Sequence, residues 1–216
     1  MTRYLLLFTG ILSALSRHSY AISCRECSST GSTSCTGTIV SCAPNFVCMS
    51  LSRTHPEEKE RTEFTRKCGD KHLCGKSGVF AITNQKHKFS ITCCESDGCT
   101  PPIPNLPLSN NTENGKNCPY CVSTNDRSCS DTGNMVCTGD ENICGLFKME
   151  ASVEPYGTTD IVRGCVSKGF CDLGTWTMKS KHNNVKVEAI CDASTALYSA
   201  LTLLILPTAS LILNVF

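Results

Sequence analysis

Sixteen of eighteen cysteines fall into two sets of eight in the same register, and few other arrangements constrain a chain of 216 residues so tightly. Cys24, Cys27 and Cys35 return as Cys118, Cys121 and Cys129 at a constant offset of 94. Cys42 then maps to Cys137, Cys48 to Cys144, Cys68 to Cys165, Cys74 to Cys171 and Cys93 to Cys191, the offset rising only to 98. Eight positions held in register over that distance mark a tandem duplication. The flanks agree: Arg66-Lys67-Cys68 matches Arg163-Gly164-Cys165, and Lys88–Cys93 and Val185–Cys191 both alternate apolar and polar as half-buried strands do. Pro56 and Pro155 both fall midway between the fifth and sixth cysteines, where a hairpin tip tolerates the missing donor.

Cys94 and Cys99 have no counterparts; Asp192 and Leu197 stand near their expected places. Two cysteines lost together are most simply two cysteines bonded to each other. That leaves eight per repeat, an even number that still allows 105 connectivities. The pairs Cys24-x-x-Cys27 and Cys118-x-x-Cys121 invite a zinc or redox reading. Zinc requires a second ligand pair at short range, and an activated thiolate requires a helix start that the Ser23 and Asn117 contexts do not offer. Structural disulfides are the expectation, with no metal and no cofactor.

The two ends point to an oxidising compartment. Arg3, the apolar run Tyr4–Leu15 and then Ser19-Tyr20-Ala21 read as a cleaved secretory leader over 1–21. After Asp192 no charged residue follows, and the tail 193–216 is almost wholly apolar. It reads either as a membrane span or as a glycosylphosphatidylinositol (GPI) signal. The span lacks the cytoplasmic Lys or Arg that such helices carry. The small triplet Asp192, Ala193 and Ser194 supplies candidate attachment residues, so the lipid anchor is favoured. The formal charge of +1, with Arg3 and Arg17 leaving with the leader, makes the mature chain nearly neutral and removes the basic footprint of a nucleic-acid binder. Between the repeats, 100–117 is a linker stiffened by Pro101, Pro102, Pro104 and Pro107. It carries the sequon Asn110-Asn111-Thr112, which makes Asn110 a glycosylation candidate.

The spacing Cys24-x2-Cys27-x7-Cys35-x6-Cys42-x5-Cys48, then Cys68, Cys74 and the box Cys93-Cys94-x4-Cys99, resembles the lymphocyte antigen 6/urokinase receptor family. The resemblance covers 22–192 and implies an all-β fold: two tandem three-finger, snake-toxin-like domains at 22–99 and 118–192. It further implies the bonds Cys24–Cys48, Cys27–Cys35, Cys42–Cys68, Cys74–Cys93 and Cys94–Cys99 in the first domain. In the second it implies Cys118–Cys144, Cys121–Cys129, Cys137–Cys165 and Cys171–Cys191. Thr100 stands where the family places an Asn that ties the ends of the domain, so a weaker clamp is expected there. Asn117-Cys118-Pro119-Tyr120-Cys121 resembles two-domain members, including gamma-type phospholipase A2 inhibitors and their GPI-anchored relatives.

Chemistry is not expected. The chain contains no G-x-S-x-G, H-E-x-x-H or P-loop pattern. His55, His72, His87 and His182 are scattered, and the Asp70/His72 neighbourhood reads as ordinary surface. No catalytic residue is assigned. Partner-contact candidates sit on the fingers: Arg53, His55, Glu58 and Arg61 at the central finger of the first domain, and Tyr156 and Trp176 in the second. Each competes with a bland reading, a solvated tip for the charged set and a half-buried packing role for Trp176. The expected function is a GPI-anchored surface module docking an extracellular protein ligand or receptor. The alternative is a secreted phospholipase A2 inhibitor. A third reading is lateral pairing of exposed strands into a homodimer with an adhesive role.

Overall fold

The computed structural model describes residues 21–55, 61–83, 85–124, 129, 133–153, 156–179 and 183–191. Residues 1–20 of the leader, Pro56, Glu58, Pro155, His182, Asp192, Ala193, Ser194 and the apolar tail lie outside them. Strand dominates the described chain, with almost no helix, and each repeat contributes six strands in the same order. The first repeat holds β1 (Ser23–Thr30), β2 (Thr38–Ser41), β3 (Phe46–His55), β4 (Arg61–Asp70), β5 (Ser77–Ile82) and β6 (Gln85–Cys94). The second holds β7 (Glu113–Thr124), β8 (Gly133–Thr138), β9 (Ile143–Val153), β10 (Tyr156–Val166), β11 (Thr175–Lys179) and β12 (Asn183–Cys191). Short turns of helix, Lys71–Leu73 and Lys168–Cys171, follow β4 and β10.

All eighteen cysteines are paired, in the nine bonds that the resemblance implies. The chain divides into two compact units. The first comprises residues 1–52, 62–75 and 91–105. Within it β1 is shared along its length: Ser23–Glu26 pair with β2 and Cys27–Thr30 pair with β4. Its core is largely sulfur, with Cys24, Cys42 and Cys48 buried and Ile22, Phe46, Cys68, Cys94 and Cys99 packed on them. A repeat this small excludes too little apolar surface to stand on packing alone, and each disulfide adds about 2–4 kcal/mol. Phe64 is fully buried on β4, with the Arg66 guanidinium 5.2 Å above its ring.

The expected loss of the Asn clamp has a local remedy. The Ser23 amide donates to Asp97 Oδ1 at 2.7 Å, and the Gly98 amide donates to the Ser23 carbonyl at 2.9 Å. The loop closed by Cys94–Cys99 thus holds the start of β1 through Asp97, three residues upstream of Thr100.

The second unit comprises 53–61, 76–90 and 106–216, so the β5–β6 hairpin of the first repeat is built into it. β7 divides as β1 does, with Asn117–Tyr120 on β8 and Cys121–Thr124 on β10. β10 pairs along its whole length with β9. Its other edge is divided, with Asp160–Arg163 on β7 and Cys165–Val166 on β5. Ser167 extends the β5 contact, its amide donating to the Val79 carbonyl and its hydroxyl accepting from the Val79 amide. Glycine makes this approach possible. A Cβ at Gly164 would overlap the Ala81 carbonyl oxygen, and one at Gly169 would overlap the Ser77 carbonyl oxygen. Phe170 then packs on Phe80 at 5.2 Å between centroids, and Phe147 at 6.1 Å.

The β5–β6 turn is fastened by charge as well. Lys86 Nζ lies 3.0 Å from each carboxylate oxygen of Glu141 and donates to the Asn110 carbonyl at 2.7 Å. Its three ammonium protons are therefore all engaged. The Glu141 side chain is 4% exposed and that of Lys86 15%, so this is a buried pair.

Candidate binding surface

At the β3–β4 and β9–β10 hairpins the disulfides sit at the bases and leave the arms unlinked, whereas Cys27–Cys35 and Cys121–Cys129 tie β1 and β7 to the loops that follow them. Cys144 and Cys165 face each other in register at the root of β9–β10. From Cys144, β9 runs to Val153, about 30 Å at ~3.3 Å per residue. In the first repeat, β3 runs from Cys48 to His55, about 23 Å on the same rise. Such arms present side chains on both faces while covalent bonds fix only their origins.

The second repeat's arms have two distinct faces. Lys148 stands opposite Glu188 and Glu150 opposite Lys186 across β9 and β12. The ions form a ladder: Lys148–Glu150 at 2.5 Å, Lys148–Glu188 at 4.0 Å and Lys186–Glu188 at 2.6 Å. The hydrogen bond that Lys186 donates to Glu188, and then the charge of Glu188, raise the Lys186 pKa above the ordinary lysine value. Because successive side chains alternate, Met149, Val187 and Trp176 fall on the opposite face. They form a row across β9, β12 and β11, with Val187 in register with both Met149 and Trp176. Val187 is buried and Trp176 half-buried.

The candidate residues are distributed, not gathered. Arg53 and Arg61 are exposed on β3 and β4 beside the first repeat's central tip, where Glu58 lies outside the described residues. His55 ends β3, and Tyr156 opens β10 opposite Val153. Trp176 lies level with Met149, four positions and about 13 Å along β9 from Val153. Asn110 is exposed, and its Oδ1 accepts the Thr112 amide at 2.9 Å. The charged ladder was not among the candidates. Its signal is the opposite-sign pairs Lys148-x-Glu150 and Lys186-x-Glu188 on alternating strands, but only the register brings them together.

The remaining chemistry is accounted for locally. Asp70 caps the turn Lys71–Leu73, accepting from the His72 amide at 3.0 Å, and its carboxylate also lies 3.1 Å from His72 Nδ1. Three groups of crowded sulfurs are stacked disulfides. Cys42 Sγ touches Cys24 Sγ at 3.1 Å and Cys137 Sγ touches Cys118 Sγ at 3.4 Å, contacts without a thiol proton. A metal or nucleophilic role needs thiolate, which oxidised sulfur does not supply. No helix among the described residues is long and apolar enough to cross a membrane.

The model of the u-PAR/Ly-6 domain matches the chain twice, over residues 20–102 and 114–197. Among solved structures, the chain is similar to a crystal structure of mouse TEX101, with 18% identity and a TM-score of 0.30. That match covers 79% of this chain and 97% of the other. Proteins built from these domains are typically extracellular binding modules and are generally not enzymes. Two domain matches in tandem, each enclosing one cysteine repeat, place this chain in the u-PAR/Ly-6 domain family.

Proposed function

We propose that this chain is a GPI-anchored cell-surface module that docks an extracellular protein ligand through its finger arms, without catalysis. The observation that carries the reading is the arrangement of the arms: disulfide-fixed roots and long unlinked strands. This construction spends its covalent bonds on position and leaves the side chains free to specify a partner. In the second repeat the half-buried Trp176 and Met149, flanking the buried Val187, are suited to desolvated contact, Trp being a frequent anchor at interfaces. The ladder on the opposite face is suited to orientation. The apolar tail after Asp192 and the triplet Asp192-Ala193-Ser194 support the lipid anchor.

The test is expression of the full chain in animal cells, followed by phosphatidylinositol-specific phospholipase C. Release from the surface supports the lipid-anchored module. Retention after the enzyme, with the protein at the surface, favours a membrane span and removes the anchor from the proposal. Spontaneous appearance in untreated medium favours the soluble phospholipase A2 inhibitor instead.

A further inference from the structure

We infer that Asn110 carries an N-linked oligosaccharide whose first sugars lie in a cleft of the second unit, bracing the β5–β6 turn against β8. The sequon residues are held, not swinging. The Asn110 carbonyl accepts from Lys86 Nζ, the Thr112 carbonyl accepts from the Gly139 amide at 2.8 Å, and Asn110 Oδ1 accepts the Thr112 amide. Gly139, at φ +57, lies so close that a Cβ there would stand 3.0 Å from Asn110 Cβ. With Oδ1 turned inward to the Thr112 amide, planarity of the side-chain amide directs Nδ2 away from the turn.

Beside this fixed residue is a cleft of about 540 Å³, of which Asn111 and Lys86 form part of the wall. The volume is that of an ordinary ligand site. Its lining joins apolar Tyr120, Met135 and Val136 to polar Thr83, Glu113 and Thr138. The Tyr120 ring lies over Gly133, which has no side chain to displace it. Val136, on the cleft wall, is 47% exposed. A hexosamine ring offers a matching surface, with a C–H face for aromatic and aliphatic carbon and hydroxyl and amide groups for the rim. The sugar is covalently supplied from the residue that precedes Asn111 of the wall, so no free ligand has to be found.

The linkage forms between Asn110 Nδ2 and the anomeric carbon of N-acetylglucosamine. The bond from that carbon to the phosphate oxygen of a polyisoprenyl diphosphate oligosaccharide breaks. One amide proton is lost, and the diphosphate leaves with the bonding pair.

The inference shares with the proposed function a route through the secretory compartment, and the experiment separates the two. The full chain is expressed in animal cells, and the glycopeptide containing Asn110 is mapped by mass spectrometry. Removal of the glycan by peptide N-glycosidase is then timed on native and on denatured protein, for the wild type and for Val136→Arg, which fills the cleft from an exposed position. The expected result is an occupied Asn110 that is released about tenfold more slowly from native wild type than from native Val136→Arg, with equal rates after denaturation. Thr83→Arg serves in place of Val136→Arg if the latter misfolds. A surface-located protein with a bare Asn110 overturns this inference alone. An occupied Asn110 released equally fast from both native proteins places the glycan in solvent and overturns it too. A chain retained in the cytosol refutes the proposed function first.

Discussion

Replacing Glu141 by Gln removes one charge from the Lys86–Glu141 pair while preserving its shape. At 3.0 Å and an effective dielectric near 20, the Coulomb attraction is about 5–6 kcal/mol before desolvation is subtracted. The net worth of the intact pair is far smaller, but Glu141→Gln leaves a buried ammonium facing a neutral amide. Breaking a buried pair from one side costs about 3–5 kcal/mol. Lys86→Met should cost a similar amount, because it strands the Glu141 carboxylate at 4% exposure and also leaves the Asn110 carbonyl without its donor. The double variant Lys86→Met/Glu141→Gln should recover most of the loss, since neither remaining group is ionised. Guanidinium unfolding with the disulfides intact gives the readout, followed by the emission of Trp176, the single tryptophan. A slope of about 4 kcal/mol per molar puts the single-variant midpoints about 1 M below wild type. If each single variant loses under about 1 kcal/mol and the double equals their sum, the pair is not coupled, and its role in fastening the β5–β6 turn is refuted.

Three further outcomes follow from the geometry. Asp97→Ala should lower stability by about 0.5–1.5 kcal/mol, the net loss of an exposed hydrogen bond that water replaces at the Ser23 amide, and hydrogen exchange at Ser23 should quicken while exchange in β9 and β10 stays unchanged. Gly164→Ala should cost at least ~2–3 kcal/mol by driving β10 off the Ala81 carbonyl. Gly157→Ala, whose Cβ would meet only the Ala151 oxygen at 3.6 Å, should stay within about 0.5 kcal/mol; equal thermal shifts for the two would contradict the close-approach argument. Lys186 should titrate by NMR above 10.5, and Glu188→Gln should return it toward that value. Because its folded pKa is raised, the stabilisation is complete below the unfolded pKa and is lost as pH climbs through the folded one. An unchanged Lys186 titration in Glu188→Gln would remove Glu188 as the cause.

Much of the fold is legible from cysteine alone, because a disulfide demands close Cβ atoms and so converts sequence positions into distances. The duplication at offset 94 to 98 and the paired loss of Cys94 and Cys99 carry the repeat architecture without any reference to strands. The docking of the β5–β6 hairpin on β10 is not legible in this way. Gly164 and Gly169 flank cysteines and read as spacing residues, while their contacts, Ala81 and Ser77, lie more than eighty residues upstream. Asp97 is similarly hidden: an acidic residue inside Cys94-x4-Cys99 is ordinary loop composition until the Ser23 amide is seen to point at it. Alternation identifies Lys186 and Glu188 as sharing a face, yet which residues oppose them depends on register. A slip of one position would have placed Met149 across from Glu188 instead of Lys148.

The division of β10's edge between β7 and β5 bears on how reagents from this protein should be cut. A fragment starting at the linker would retain all four disulfides of the second repeat and would pass any test of correct oxidation. It would nevertheless lack Val79–Ala81, leaving the Cys165–Val166 edge of β10 uncovered, the Ser167 amide without the Val79 carbonyl and Phe170 without Phe80. An uncovered strand beside an apolar ring is a ready site for adventitious pairing. Capture experiments made with that fragment would report partners for a surface that the whole chain keeps as interior, and a start at Lys76 would strip Cys93 of Cys74, so screening reagents should keep the first repeat whole.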